Sequence, residues 1–61
     1  MKKIWDFMFE DCYTGEQFFV ECENIQRAAE ILAEYGILPE TINFIGKYTV
    51  EEADILGYDT Y

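Results

Sequence analysis

Lys3-Ile4-Trp5-Asp6-Phe7-Met8-Phe9-Glu10-Asp11 and Gln17-Phe18-Phe19-Val20-Glu21-Cys22 are the two stretches whose reading decides the fold. Both alternate. In the first, Trp5, Phe7 and Phe9 fall on one face, while Ile4, Asp6, Met8 and Glu10 fall on the other. In the second, Phe18, Val20 and Cys22 oppose Gln17, Phe19 and Glu21. Successive side chains of a strand point to opposite faces, so period-two runs rich in aromatic residues read as half-buried strands. Between them, Tyr13-Thr14-Gly15-Glu16 supplies a tight turn, with a glycine free to take a positive φ. A loop centred on Thr14-Gly15 pairs Phe9 with Val20 and Phe7 with Cys22. That register gathers Trp5, Phe7, Phe9, Phe18, Val20 and Cys22 on one shared face, which a one-residue slip would scatter.

Working outward, Asn24 is placed to cap a helix over about residues 25–35. Ile25, Ala28, Ala29, Leu32 and Tyr35 recur at three- and four-residue spacing, with Gln26, Arg27, Glu30 and Glu34 on the remaining surface. Gly36 ends the helix in the left-handed conformation, and Pro39 prevents continuation. Thr41 to Tyr48 returns to strand composition, with Ile42 and Phe44 inward. Thr49-Val50-Glu51-Glu52 matches a capping box and opens a short helix over about 50–56, stopped at Gly57. Tyr58 to Tyr61 either docks its tyrosines or frays.

The expected architecture is a single α+β domain over residues 1–61. It is a two-layer ββαβ fold with a three-stranded antiparallel sheet, one packed helix and a short C-terminal helix. The strand order is expected to be 2-1-3, because the first strand carries the most aromatic residues and suits the centre; the order 1-2-3 is the alternative.

Composition bounds the function. Thirteen acids against four cations, with no histidine, give 61 residues a net charge of −9. Such a field repels nucleic acid and anionic membrane and attracts basic protein surfaces. Without histidine, no side chain has an unperturbed pKa near neutrality, which points toward binding and away from catalysis. Half the residues are apolar and eleven are aromatic, so the acidity is not that of a disordered tail. The chain lacks an apolar run of membrane-spanning length and a signal-peptide pattern after Met1, and so reads as cytoplasmic with reduced thiols. Cys12 beside the turn and Cys22 in the core point to opposite faces, too far apart for a disulfide. Without histidine or a Cys-x-x-Cys pair, a zinc site at Cys12 and nearby acids lacks the usual ligands, and no cofactor or metal is expected.

The candidate site is the outer face of the hairpin. Asp6, Glu10, Glu21 and Glu23 project there, and Asp11 and Glu16 flank the turn. Alternate strand residues stand ~6.6–7 Å apart, near the spacing of phosphates along a nucleic-acid strand. A rigid sheet bearing such carboxylates can occupy a basic groove, or it can simply be a solvated face. Met8 and Phe19 share this face and are expected to form an exposed apolar spot amid the acids, which is more typical of a protein-binding surface. A homodimer across this sheet, or coverage by the C-terminal helix, is the competing explanation. In the second acidic group, Glu51 and Glu52 suit a helix N-terminus, whereas Asp54 and Asp59 have no such local reason.

The run Phe9 to Asn24, followed by Ala28-Ala29-Glu30-Ile31-Leu32, resembles hairpin-then-helix modules of small phage and mobile-element proteins. With its size and acidity, the chain resembles the small acidic anti-defence proteins, the anti-CRISPR and anti-restriction inhibitors. That resemblance implies inhibition of a host nuclease, such as a Cas9-type effector, by covering its nucleic-acid-binding surface. The implied partner is a basic protein surface, with no direct contact to nucleic acid or membrane. A small structural or regulatory subunit, or a homodimer, is the alternative.

Overall fold

The computed structural model describes residues 3–61. Its elements are β1 (Trp5–Asp11), β2 (Gln17–Cys22), α1 (Ile25–Glu34), a one-turn 3-10 helix (Pro39–Thr41), β3 (Ile42–Tyr48) and α2 (Val50–Leu56). The sheet is antiparallel with the order β2-β1-β3, so the aromatic-rich first strand is central. No helix among the described residues is long and apolar enough to cross a membrane.

The hairpin register differs from the expected one by two residues. Phe9 lies opposite Phe18, Phe7 opposite Val20 and Trp5 opposite Cys22. The cause is Asp11. Its Oδ1 accepts from the backbone N–H of Tyr13 (2.8 Å) and of Thr14 (3.1 Å), nucleating the turn one residue earlier than Thr14-Gly15. Asp11 N–H then donates to Glu16 C=O at 2.8 Å, closing a loop of Cys12 to Gly15, and Gly15 takes the left-handed φ of 76°. A two-residue shift preserves every side chain's face. Phe7, Phe9, Phe18, Val20 and Cys22 therefore still share one core with Ala28 and Leu32 of α1. Phe9 and Phe18 become direct cross-strand partners with stacked rings 6.0 Å apart.

Local chemistry sets the ends of α1. Asn24 Oδ1 accepts from Arg27 N–H at 2.8 Å. At the other end Gly36, with φ of 77°, lets Ile37 N–H reach Leu32 C=O (2.9 Å) and Gly36 N–H reach Ala33 C=O (3.0 Å). These two bonds form a Schellman motif. Only Ala28 and Leu32 of the apolar stripe are buried; Ile25 and Tyr35 are exposed. Tyr35 is not a core position and instead meets the ring of Tyr61 edge-on at 4.9 Å.

The opposite face of the sheet is also covered. Met8 and Phe19 pack with Ala53 of α2 and with Tyr48. Thr49 and Glu52 form the expected capping box, with Thr49 N–H to Glu52 Oε1 at 2.9 Å and Glu52 N–H to Thr49 Oγ1 at 3.1 Å. Beyond Gly57 the tail docks rather than frays. Phe19 N–H donates to Asp59 C=O (2.8 Å), Tyr61 N–H to Phe19 C=O (2.8 Å) and Glu21 N–H to Tyr61 C=O (3.2 Å). The tail thus adds a short parallel segment along the outer edge of β2. Tyr58 packs against Phe19 and Tyr61 against Phe18, with centroids at 6.1 and 5.3 Å.

β3 carries a bulge between its pairings with Met8 and Phe9, leaving Ile45 as the extra residue. The bulge swaps faces. Gly46 and Tyr48 accompany Met8 and Asp6 on the α2 side, whereas Phe44 and Ile42 accompany Phe9 and Asp11 on the α1 side. Phe44 was expected inward but is 53% exposed. The reason is that α1 packs on β2 and leaves the helix-side surface of β3 uncovered.

Two outcomes follow from this packing. Phe19→Ala should cost about 3–5 kcal/mol of stability, as for a fully buried aromatic, whereas exposed Tyr13→Ala should stay within about 0.5 kcal/mol. Equilibrium denaturation of both variants checks this, and equal effects would contradict the placement of Phe19. Cys22 lies opposite Trp5, at the far end of the hairpin from the loop holding Cys12. The thiols should therefore form no intramolecular disulfide on mild oxidation, and burial, which pushes the Cys22 thiol up, should make Cys12 the faster to alkylate. Intact-mass analysis under non-reducing conditions reads both.

Candidate functional site

The structure divides the eight residues expected at the site. Met8 and Phe19 are buried beneath α2 and the tail, so they form no exposed apolar spot. Coverage by the C-terminal helix, the competing explanation, is what occurs. Asp6 is 1% exposed and does not face solvent. The Asp11 carboxylate is occupied by its own turn. Glu10, Glu16, Glu21 and Glu23 remain at or near the surface, with Glu16 and Glu21 exposed.

Burial of Asp6 follows from its position. It sits on the central strand, opposite Glu21 of β2 and Tyr48 of β3, on the side covered by α2. Its Oδ1 has no hydrogen-bond partner. Desolvation pushes the Asp6 carboxyl up to about 6, helped by the negative charges of Glu21 and Asp54 and by a hydrogen bond with Glu21. A chain without histidine therefore still has a group that titrates near neutrality. Buried under α2, Asp6 has no open face for a substrate.

Docking of α2 merges two acidic groups that are far apart in sequence. Glu21 comes from the hairpin and Asp54 from α2, and both act on Asp6. Glu51, Glu52, Asp54 and Asp59 are exposed around them. Glu52 is partly structural, since hydrogen bonds from Thr49 hold its carboxyl below the ordinary range. Ile55 is 85% exposed, three and four residues after Glu52 and Glu51, and therefore on their side of the helix. The signal that finds Ile55 is the spacing: Val50 and Ala53 take the inner stripe of so short a helix, with Leu56 half-exposed at its end.

The described cations lie on the other side. Lys3 and Lys47 Nζ each stand 4.3 Å from the ring centroid of Trp5, which packs on the α1-side core. Arg27 on α1 reaches Glu30 (3.8 Å) and Glu34 (3.9 Å). Among the described residues, Lys3, Arg27 and Lys47 are the cations, so the α2 side carries acid without compensating base. Among the described residues, no group of three or more potential metal ligands comes together. Chemically the α2 side is a carboxylate surface around exposed apolar side chains, Ile55 most fully, with Leu56 and Tyr58 about half-exposed.

Asp6 makes stability pH-dependent in a defined direction. An unfolded aspartate titrates near 3.9, whereas Asp6 in the fold keeps its proton up to about 6. The native state binds more protons between those values, so stability is lost as pH rises through 6. A gap of about two pH units corresponds to roughly 3 kcal/mol at most. Asp6→Asn should therefore stabilise the protein above pH 7, and should remove most of the stability difference between about pH 5 and pH 7.5. Urea denaturation at both pH values measures it; a variant with an unchanged pH dependence would assign the effect to other carboxylates.

Comparison with known proteins finds no matching family model, no matching curated protein and no matching solved structure, so the site's chemistry rests on the geometry described above.

Proposed function

We propose that this protein is a non-catalytic acidic binder. Its α2 side docks on a basic protein surface of a nucleic-acid-binding enzyme, a host nuclease of the Cas9 type being the leading class, and blocks nucleic-acid loading. One observation carries the reading: the described cations lie on the α1 side, leaving the α2 side as uncompensated acid around exposed Ile55. Like-signed carboxylates held on a rigid sheet and helix present a field that steers a basic partner. The field speeds association and is screened beyond ~8 Å at physiological salt. An apolar anchor that becomes desolvated governs how long the complex lasts.

The test is competition between this protein and a labelled target duplex for a guide-loaded Cas9-type effector, at low and at physiological salt. Inhibition should weaken as salt rises. Glu51→Lys with Asp54→Lys should slow association about tenfold, and Ile55→Ala should speed dissociation about tenfold, as for loss of a buried anchor. Failure to compete with nucleic acid on this effector would remove the leading target class. Inhibition unaffected by either set of changes would remove the α2 side as the binding face.

A further inference from the structure

One face is poor in acid: among the strand residues on the α1 side only Asp11 is acidic, and its carboxylate is bonded to its own turn. From Thr41 to Val50 the chain has no acid and a single cation, Lys47, although thirteen acids are spread over the rest. The charges of α1 fall on one stripe, Arg27, Glu30 and Glu34, which engage one another. The side of α1 turned toward β3 carries Ile25 and Ala29. Between that side and β3 runs an apolar groove of about 220 Å³, floored by Phe9 and Leu32 and closed by Ile37, Pro39, Ile42 and Phe44. Small-molecule sites are commonly ~300–1,000 Å³ with several convergent polar groups, so this smaller apolar groove suits a protein side chain.

We propose that this acid-poor face binds a second copy of the chain about a two-fold axis crossing β3 near Phe44, with Phe44 of each copy entering the groove of the other. Three features single out that occupant. Two chains of charge −9 repel wherever acids meet, and this is the face that carries fewest of them. The face carries both the hole and its knobs: Ile25 and Phe44 line the groove yet remain half-exposed at its rim, which is the self-complementarity a two-fold contact requires. Finally, a cation and an acid lie at opposite ends of β3, Glu40 just before it and Lys47 near its close. A two-fold axis across the strand brings Lys47 of each copy to Glu40 of the other. The bulge at Ile45 and the charge of Lys47 are devices that discourage open-ended strand pairing, so the contact closes as a dimer.

Sedimentation velocity over a concentration series, at low and raised salt, tests this independently of any basic partner. The dimer should tighten with salt, because screening relieves the repulsion of like-charged chains; binding to a basic partner should weaken. Phe44→Glu and Ala29→Glu, both at exposed positions, should each weaken self-association at least tenfold while leaving the thermal melt of the monomer cooperative. Glu40→Lys or Lys47→Glu alone should weaken it, and the two together should restore it. A protein that stays monomeric at its highest soluble concentration overturns the proposal. So does a dimer indifferent to Phe44→Glu and Ala29→Glu, or a groove that captures an extended apolar peptide while the protein remains monomeric.

Discussion

β1 is buried on both faces, and the rest of the molecule is arranged to make that possible. Phe7 and Phe9 point toward α1, while Asp6 and Met8 point the other way. A three-stranded sheet with one covered face would leave Met8 and Phe19 in water. The seven-residue α2 is too short to cover them alone, so Tyr48, Tyr58 and the tail complete the cover. The tail's hydrogen bonds also satisfy the outer edge of β2, which would otherwise be open to pairing with another chain. A domain of 61 residues buries a limited share of its surface, so employing both faces of its central strand raises the apolar area it can remove from water.

The same cover traps a carboxylate. Asp6 lies on the face that α2 must seal, beside Glu21 and near Asp54, and its raised pKa is the electrostatic consequence of that sealing. Above neutrality the fold holds a buried negative charge among other negative charges, a local conflict opposed by the apolar packing of Met8, Phe19 and Ala53. The conflict and the candidate binding surface have one origin. α2 brings its own acids to the hairpin's acids, and the described cations, Lys3, Lys47 and Arg27, are committed to Trp5 and to α1 on the far side.

Placement of α1 decides what remains open. It follows β2, and its Schellman turn folds Ile37 back onto Leu32. β3 is left with a bare helix-side surface, and its bulge turns Phe44 toward that side. The molecule is therefore electrically and topographically two-sided. One face presents acid around Ile55, and the other a groove between uncharged walls. The proposed basic partner and the proposed second copy would occupy different faces and respond to salt in opposite senses.

Alternation in residues 3–11 and 17–22, the caps at Asn24 and Thr49 and the stop at Gly36 are local signals. They determined the elements, their order and the face of each hairpin residue, because they depend on near neighbours and on a strand's period of two. The same period hid the register: a shift of two residues leaves every face unchanged, so only the Asp11 carboxylate, bonded to its own turn, selects Phe18 as the partner of Phe9. The exposed acids Glu16 and Glu21 and the half-buried Glu10 were legible as charge. The burial of Asp6, Met8 and Phe19 was not, because it depends on where α2 and the tail dock, more than thirty residues away along the chain. Composition determined that this molecule is acidic; tertiary packing decided which acids meet water, since burial is set by contacts between distant segments that no local pattern encodes.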